Sequence, residues 1–264
     1  MAVGLNHPIY DSVRQWLDRI GDAPSLDLLN FFSEEKDLKS ESGKPIRFVP
    51  PASSDPYYEV HVFETGRVQT RPDNRHDLFN ALAWLAFPKT KARINAMHAA
   101  EIPREGGKRG RLRDMLTIFD EGGAIVSGNA SIEFLIRNAS WQDLFLRHYR
   151  NFHITVVGHA VLEQALAPHP GITCKVIFAD PSRSLDDQAA AWLAKEGTSP
   201  RDLPPLPVFG YPGWFEGSGQ AEFYSDERHF RPLQRGKIGA GVGQAAAVSQ
   251  GAEESPGSIE RDAG

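Results

Sequence analysis

The sequence predicts an α+β fold, a mostly helical single domain with short antiparallel strands or hairpins and a disordered C-terminal tail. Three observations support this class. Apolar residues recur at helical spacing in several segments, as Leu78, Leu82 and Leu85 do at positions i, i+4 and i+7. Bulky residues alternate in short runs that are bounded by turn signals, as at 57–63. After Arg235 the composition shifts to small and polar residues, which predicts disorder.

The N-terminal part predicts two helices and a strand. Gly21 closes the first helix, Ser25 caps the second, and Pro50 ends the strand at 46–49. One face of the first helix carries the apolar residues Ile9, Val13, Trp16, Leu17 and Ile20.

Residues 57–101 hold most of the polar side chains that are candidates for catalysis or ligand binding. The alternation at 57–63 predicts a strand, and residues 64–67 (ETGR) predict a hairpin turn. Asn74 or Asp77 is the predicted cap of the next helix, which ends at Pro88, where another helix starts. We therefore expect a helix–helix corner preceded by a hairpin, with Trp84 filling the corner.

The remaining elements follow from similar signals. Two glycines at 122–123 predict a hairpin, and Ser131 is a predicted helix cap. The proline-rich stretch at 200–214 predicts an extended surface segment. Further helices are predicted at 141–152, 156–166 and 185–195, with a strand at 172–178.

Length and composition predict one globular domain over residues 1–234 and a disordered tail over residues 235–264. Hydrophobic residues make up 41% of the chain and charged residues 24%, as is usual for globular proteins. Cys174 is the single cysteine, which excludes an internal disulfide and cysteine-based zinc clusters. The N-terminal residues lack a secretory signal pattern, so we predict a cytoplasmic location without membrane association.

Charge is unevenly distributed along the chain. The net charge is −5, yet residues 67–113 contain eleven Lys or Arg and four Asp or Glu. A basic segment of this kind suggests an anionic partner, either a small molecule or a nucleic acid. Pairing with carboxylates elsewhere in the chain explains the same pattern.

Several strings occur in the order typical of one bacterial family. They are ETGRVQTR, HDLFNALAWLAFPKTKARINA, RGRLRDMLTIFDEGGA, GHAVLEQAL, PLPVFGYPGWF and FYSDERHFRP. The chain thereby resembles the family catalogued as domain of unknown function 3025, over roughly residues 47–232. The resemblance implies a single bacterial domain and brings no established activity, cofactor or catalytic residue.

His76, Asp77 and Asn80 form the strongest candidate catalytic cluster. His76 and Asn80 are four residues apart, so they share a helix face with Asp77 beside them. A His–Asp dipeptide places an imidazole and a carboxylate on one divalent metal ion in HD-type phosphohydrolases. The candidates for the further ligands that such a metal requires are His98, Asp114, Asp120 and His159, of which Asp114 and His159 are the predicted ones. Asp114 is also a candidate catalytic residue. The alternative is structural: Asp77 caps the helix, His76 bonds a nearby carbonyl oxygen, and His159 is a buried histidine.

Two functional hypotheses remain open at this point. The first is a metal-assisted hydrolase of a phosphate-containing substrate, with Arg71, Lys91 and Arg113 holding the phosphate. Its metal ligands are His76, Asp77, Asp114 and His159, and its cofactor is a divalent metal ion. The second is a non-catalytic domain that binds an anionic partner, a nucleic acid or nucleotide, through residues 67–113.

Overall fold

The computed structural model describes residues 4–52, 57–106 and 109–232. Residues 235–264 lie outside this part, so the predicted tail and the domain boundary at 234 stay predictions. Within the described residues the chain forms ten α-helices and two small sheets, which confirms the mostly helical α+β class. The helices are α1 Arg14–Ile20, α2 Leu26–Glu35, α3 Tyr58–Thr65, α4 Arg75–Ala86, α5 Pro88–Glu101, α6 Arg111–Gly122, α7 Ala130–Arg137, α8 Trp141–Arg147, α9 His159–Gln164 and α10 Leu185–Leu193. The strands are β1 Arg47–Val49, β2 Arg67–Gln69, β3 Gly123–Gly128, β4 Phe152–Val156, β5 Thr173–Ala179 and β6 Pro205–Pro207.

The larger sheet is covered on both faces. Its strand order is β4-β3-β5-β6, and β3 runs parallel to β5 but antiparallel to β4. Ala124 and Val126 face one apolar cluster, whereas Ile125 faces a second cluster that contains Met115 and Phe119 of α6. The sheet thereby fixes α6, whose C-terminal end leads directly into the central strand β3.

The local signals that set the α4–α5 corner are confirmed. The Asn74 side chain accepts a hydrogen bond from the backbone N–H of Asp77, so Asn74 is the cap of α4. Phe87 leaves the helical region of backbone conformation, and Pro88 starts α5. Ser25 caps α2 and Gly21 ends α1, as the sequence predicts.

The strand predicted at 57–63 and the following hairpin are wrong. Residues 58–65 form α3, which ends at Gly66 in the left-handed conformation (φ 74°). His61 and Val62 are buried on the inner face of this helix. Strand β2 follows and pairs in parallel with β1, so α3 is the crossover between two parallel strands.

The hairpin predicted around Gly122 and Gly123 is also wrong. Met115, Leu116 and Phe119 are buried at helical spacing, so α6 continues to Gly122 and Gly123 starts β3. The two glycines mark a boundary between a helix and a strand. The partners of β3 come from the distant strands β4 and β5.

Smaller errors concern element ends in the C-terminal half. Asn129, and not Ser131, caps α7. The helix predicted at 141–152 ends at Arg147, because residues 152–156 form the edge strand β4. The helix predicted from residue 156 begins at His159 as α9. The segment 200–214 does not lie on the surface throughout, since β6 joins the sheet and Leu206, Val208 and Phe209 are buried.

None of the helices in the part of the chain that the structure describes has the length and hydropathy needed to cross a bilayer.

Candidate active site

A polar cavity of about 490 Å³ lies where the α4–α5 corner meets α3, α6 and α9. The sequence explains this position, because Pro88 turns the chain so that the polar face of α4 and the polar face of α5 line the same space. Among the candidate residues from the sequence, those at the cavity are Arg71, His76, Asp77, Asn80, Lys91 and His159.

His76 and His159 meet at the cavity, although 83 positions separate them in sequence. Their Nε2 atoms are 3.1 Å apart, and the two rings are nearly perpendicular at 73°. The opposite nitrogen of each ring is also bonded. His76 Nδ1 lies 2.9 Å from Oε2 of Glu163, and His159 Nδ1 lies 2.8 Å from the backbone carbonyl oxygen of Asp120.

The acceptor opposite His159 fixes the tautomer of its neutral ring. The Asp120 carbonyl oxygen only accepts, so His159 Nδ1 carries a proton that it donates. The Nε2 atom of the neutral His159 ring is therefore unprotonated where it faces His76 Nε2. It can accept a proton from a donor or bind a metal ion.

His159 is held neutral by its surroundings. Burial lowers its pKa to about 4, the Asp120 carboxylate opposes this effect, and Lys91 and His76 add to it. The sequence-based alternative of a structural, buried His159 is therefore correct about burial, but this ring also forms part of the cavity wall.

Gly158 allows α9 to approach α6 closely enough for the contact between the histidines. A Cβ atom at Gly158 would lie 2.5 Å from the carbonyl oxygen of Glu121 and 2.6 Å from the backbone nitrogen of Gly123. Only glycine fits at this crossing of two backbones.

Gly158→Ala is expected to lower the free energy of unfolding by about 1–3 kcal/mol, because α9 must move away from α6. Urea denaturation measures this loss. Gly122→Ala is the matched control, since a Cβ atom there meets nothing within 4 Å and Gly122 lies in a helix. It should be neutral or stabilising, by about 0.5–1 kcal/mol. Equal losses in both variants would contradict the close approach.

Lys91 and Asp120 form an ion pair behind the histidines. Lys91 Nζ donates to Asp120 Oδ1, and only 5% of the Lys91 side chain and 16% of the Asp120 side chain are exposed. Burial opposes ionisation of Asp120, but Lys91 and His159 outweigh it and lower the pKa of this carboxyl group. Asp120 thus neutralises Lys91 with its side chain while its backbone carbonyl positions His159.

Asn95 and His98 continue the inner face of α5. The Asn95 amide donates to the backbone carbonyl and to Oε2 of Glu59, at 2.8 and 2.6 Å. Arg113 Nε donates to His98 Nδ1 at 3.2 Å, and burial lowers the pKa of His98 to about 4. Both residues therefore contribute uncharged polar groups to the cavity wall.

Glu59 is a half-buried carboxyl group on the α3 side of the cavity. Burial raises its pKa to about 7 and Asp120 adds to this, whereas Asn95, Lys91 and Arg113 oppose it. Since this folded-state pKa lies above the ordinary value of 4.5, the folded protein binds more protons than the unfolded chain between these two pH values. The Glu59 contribution to stability therefore falls as pH rises through this window.

Glu59→Gln is expected to remove this component of the pH dependence. Relative to the wild type, the variant should gain about 3 kcal/mol or less in unfolding free energy between pH 5 and pH 8. Chemical denaturation at both pH values measures the difference, and Glu64→Gln at an exposed site of the same helix is the control. An identical difference from wild type at the two pH values would contradict the protonated state of Glu59.

The carboxylate of Asp77, a predicted metal ligand, is bonded to Arg71. Both carboxylate oxygens of Asp77 accept from the Arg71 guanidinium, at 2.8 and 2.9 Å, and one also accepts from the Arg71 backbone N–H. Burial opposes ionisation of Asp77, but its bonds to Arg71 lower its pKa. Asp77 therefore ties the start of α4 to the preceding segment, while Asn74 is the cap.

Asp114, predicted as a catalytic residue and metal ligand, does not line the cavity. It forms an exposed ion pair with Arg109 at 3.0 Å. Arg113 does not line the cavity either, because its guanidinium is held by Glu105 at 2.7 Å. Asn80 does line it, and its amide donates to the Tyr58 hydroxyl at 3.2 Å.

The predicted four-residue metal centre is thus not assembled. The structure brings together His76 and His159. The Asp77 carboxylate is instead bonded to the Arg71 guanidinium, and Asp114 lies outside the cavity. Within the described ranges, no three His, Cys, Asp or Glu side chains converge as a metal-binding group.

Many charges of the basic segment 67–113 have partners within the described residues. Arg75 pairs with Asp22, and Lys89 pairs with Asp187. The other ion pairs are Arg71–Asp77, Lys91–Asp120, Arg93–Glu41, Arg104–Glu101, Arg109–Asp114 and Arg113–Glu105. This pairing matches the alternative explanation of the local charge, and an anionic partner stays a prediction.

Glu59, Tyr58 and Glu163 are cavity or supporting residues that the sequence analysis missed. The strand predicted at 57–63 placed the first two on a different kind of element. A signal for Glu163 exists in the sequence, because it follows His159 by four positions and both lie on α9.

The family model that matches the chain is described as "Protein of unknown function (DUF3025)" and covers residues 46–234. The chain belongs to this family. The match spans all of the described elements that form the cavity, from α3 to α9 of this DUF3025 member. No curated protein and no solved structure matches the chain.

Proposed function

We propose that this DUF3025 protein is a hydrolase that cleaves a phosphate-containing substrate in the cavity, with His76 and His159 at the reacting bond. The observation that carries the proposal is the meeting of two imidazoles, with their Nε2 atoms 3.1 Å apart, at the wall of a 490 Å³ cavity. Phosphoryl transfer is catalysed mainly by positioning and by charge stabilisation. A cation held at this wall stabilises negative charge on the phosphate oxygens and on the leaving group.

Arg71 is the residue assigned to the substrate phosphate. More than half of its side chain is exposed at the cavity, and its pair with Asp77 uses Nε and Nη2. Nη1 stands outside that pair, and guanidinium groups recognise phosphate oxygens through such donors. Lys91 and Arg113, the other predicted phosphate ligands, are instead assigned structural roles because Asp120 and Glu105 hold them.

The other polar lining residues of the cavity suit the remainder of a substrate. Besides the histidine pair, the cavity wall presents Asn80, Asn95 and a neutral His98. Uncharged polar groups of this kind orient the remainder of a substrate by hydrogen bonds. The proposed substrate is therefore a small phosphate ester with a polar, uncharged portion.

Release of inorganic phosphate or nitrophenol from a panel of compounds tests this proposal. The panel contains p-nitrophenyl phosphate, bis(p-nitrophenyl) phosphate, nucleoside mono-, di- and triphosphates, and sugar phosphates. We expect turnover of at least one class, and His159→Gln should reduce kcat/KM by about 100-fold or more. Arg71→Ala should mainly raise KM, and Asp114→Asn, outside the cavity, should change neither parameter.

Two results would contradict the proposal. One is the absence of turnover across the whole panel. The other is a turnover that His159→Gln leaves unchanged while circular dichroism shows the variant to be folded.

A further inference from the structure

We propose that His76 and His159 bind one transition-metal ion of the Zn²⁺ type through their Nε2 atoms. This inference deepens the proposed function, on which it rests for the role of the site, by naming its cofactor. Two nitrogen ligands at about 2.0–2.1 Å from a tetrahedral zinc ion are about 3.3 Å apart. The observed separation of 3.1 Å between the Nε2 atoms is close to this value.

The other nitrogen of each ring has the partner that a metal-binding histidine needs. Metal-bound histidines donate their second N–H to a carboxylate, a backbone carbonyl or water, which fixes the ring and its tautomer. His76 donates to the Glu163 carboxylate, and His159 donates to the carbonyl oxygen of Asp120. Both Nε2 atoms thereby remain available to a metal ion, and they lie 3.1 Å apart.

The composition of the site selects the metal. Imidazole nitrogens suit zinc, cobalt, nickel and copper, whereas Mg²⁺ requires oxygen ligands. Asp77 is not the third ligand, because both of its carboxylate oxygens are bonded to Arg71. Because no third His, Cys, Asp or Glu joins the pair within the described part of the chain, the remaining coordination positions belong to water and substrate.

Charge around the pair suits a divalent ion. Glu163 contacts His76 directly, and Oδ2 of Asp120 lies 3.7 Å from His159 Nδ1. Lys91, the cation near His159, is paired with Asp120. The charge of a metal ion bound by both Nε2 atoms would be balanced by these two carboxylates.

Titration of chelator-treated protein with Co²⁺ and Zn²⁺ tests this inference. Co²⁺ should give a visible absorption band with one ion per chain, Zn²⁺ should compete for it and raise the melting temperature, and Mg²⁺ should do neither. His76→Gln and His159→Gln should abolish the band. Glu163→Gln, which retains both histidines, should weaken Co²⁺ binding about 10–100-fold. His153→Gln, at an exposed histidine on β4, should bind as the wild type does.

The outcomes separate this inference from the proposed function. Absence of a stoichiometric Co²⁺ or Zn²⁺ site, or binding that survives His159→Gln, overturns the metal assignment. If chelator-treated protein still hydrolyses a phosphate ester and needs His159, the metal assignment is overturned while the hydrolase stands. If the metal binds as expected and no phosphate compound is turned over, the metal assignment is supported and the hydrolase is contradicted.

Discussion

Lys91→Met is expected to lower the free energy of unfolding by about 3–5 kcal/mol. The substitution leaves the Asp120 carboxylate buried without its cation, and an uncompensated buried charge is far costlier than the loss of an exposed pair. Methionine has a similar length and fills the space of the lysine chain, so the effect reports the charge rather than a cavity. Urea denaturation measures the loss.

Lys89 offers a matched control two positions earlier on α5. Its pair with Asp187 is mostly exposed, so Lys89→Met should cost far less stability than Lys91→Met. The double variant Lys91→Met with Asp120→Leu should recover much of the loss, since no charge then remains buried. Its backbone carbonyl still accepts from His159. Equal losses for Lys89→Met and Lys91→Met would contradict the buried ion pair.

Trp84→Ala is the second variant with a large expected effect, about 3–5 kcal/mol in unfolding free energy. The indole is only 2% exposed and lies in α4 two residues before the helix ends, against the α4–α5 corner. Removing it leaves a cavity that the two helices cannot close without opening the corner. The denaturation midpoint and its slope measure the change.

Trp84→Phe is the control for this prediction. The indole Nε1 is buried and has no hydrogen-bond partner among the described residues, so phenylalanine removes a polar group that gains nothing there. The Phe variant should therefore lose much less stability than the Ala variant. A midpoint of Trp84→Ala equal to that of wild type would place the ring at the surface.

Local signals in the sequence account for the α4–α5 corner but not for α3. The Asn74 cap and the Pro88 start act through the backbone of neighbouring residues. A few consecutive residues therefore suffice to predict where these two helices begin. The run at 57–63 is bulky on every face, which fits a covered strand and a covered helix alike. Tertiary pairing selects the helix, because β1 pairs in parallel with β2 and residues 58–65 must connect the two strands.

The sequence predicts the segment that supplies most of the candidate site, but it does not predict the contact between His76 and His159. His76, Asn80 and Lys91 follow from helical spacing around Pro88, and they line the cavity. His159 reaches His76 only because β3 and β4 place α9 between α4 and α6, a tertiary arrangement with no short-range signal. Asp114 is on a helix that contributes to the cavity, but its position on α6 turns it toward Arg109.

The central claim is that His76 and His159 meet through their Nε2 atoms at the cavity wall. The measurement that tests it most directly is a ¹H–¹⁵N spectrum of the imidazole groups in metal-free protein at neutral pH. We predict that the proton of His159 lies on Nδ1, where it faces the Asp120 carbonyl oxygen, and that the Nε2 resonance of His159 shifts in His76→Gln. A proton on His159 Nε2, or an Nε2 resonance that is unchanged in His76→Gln, would contradict the account.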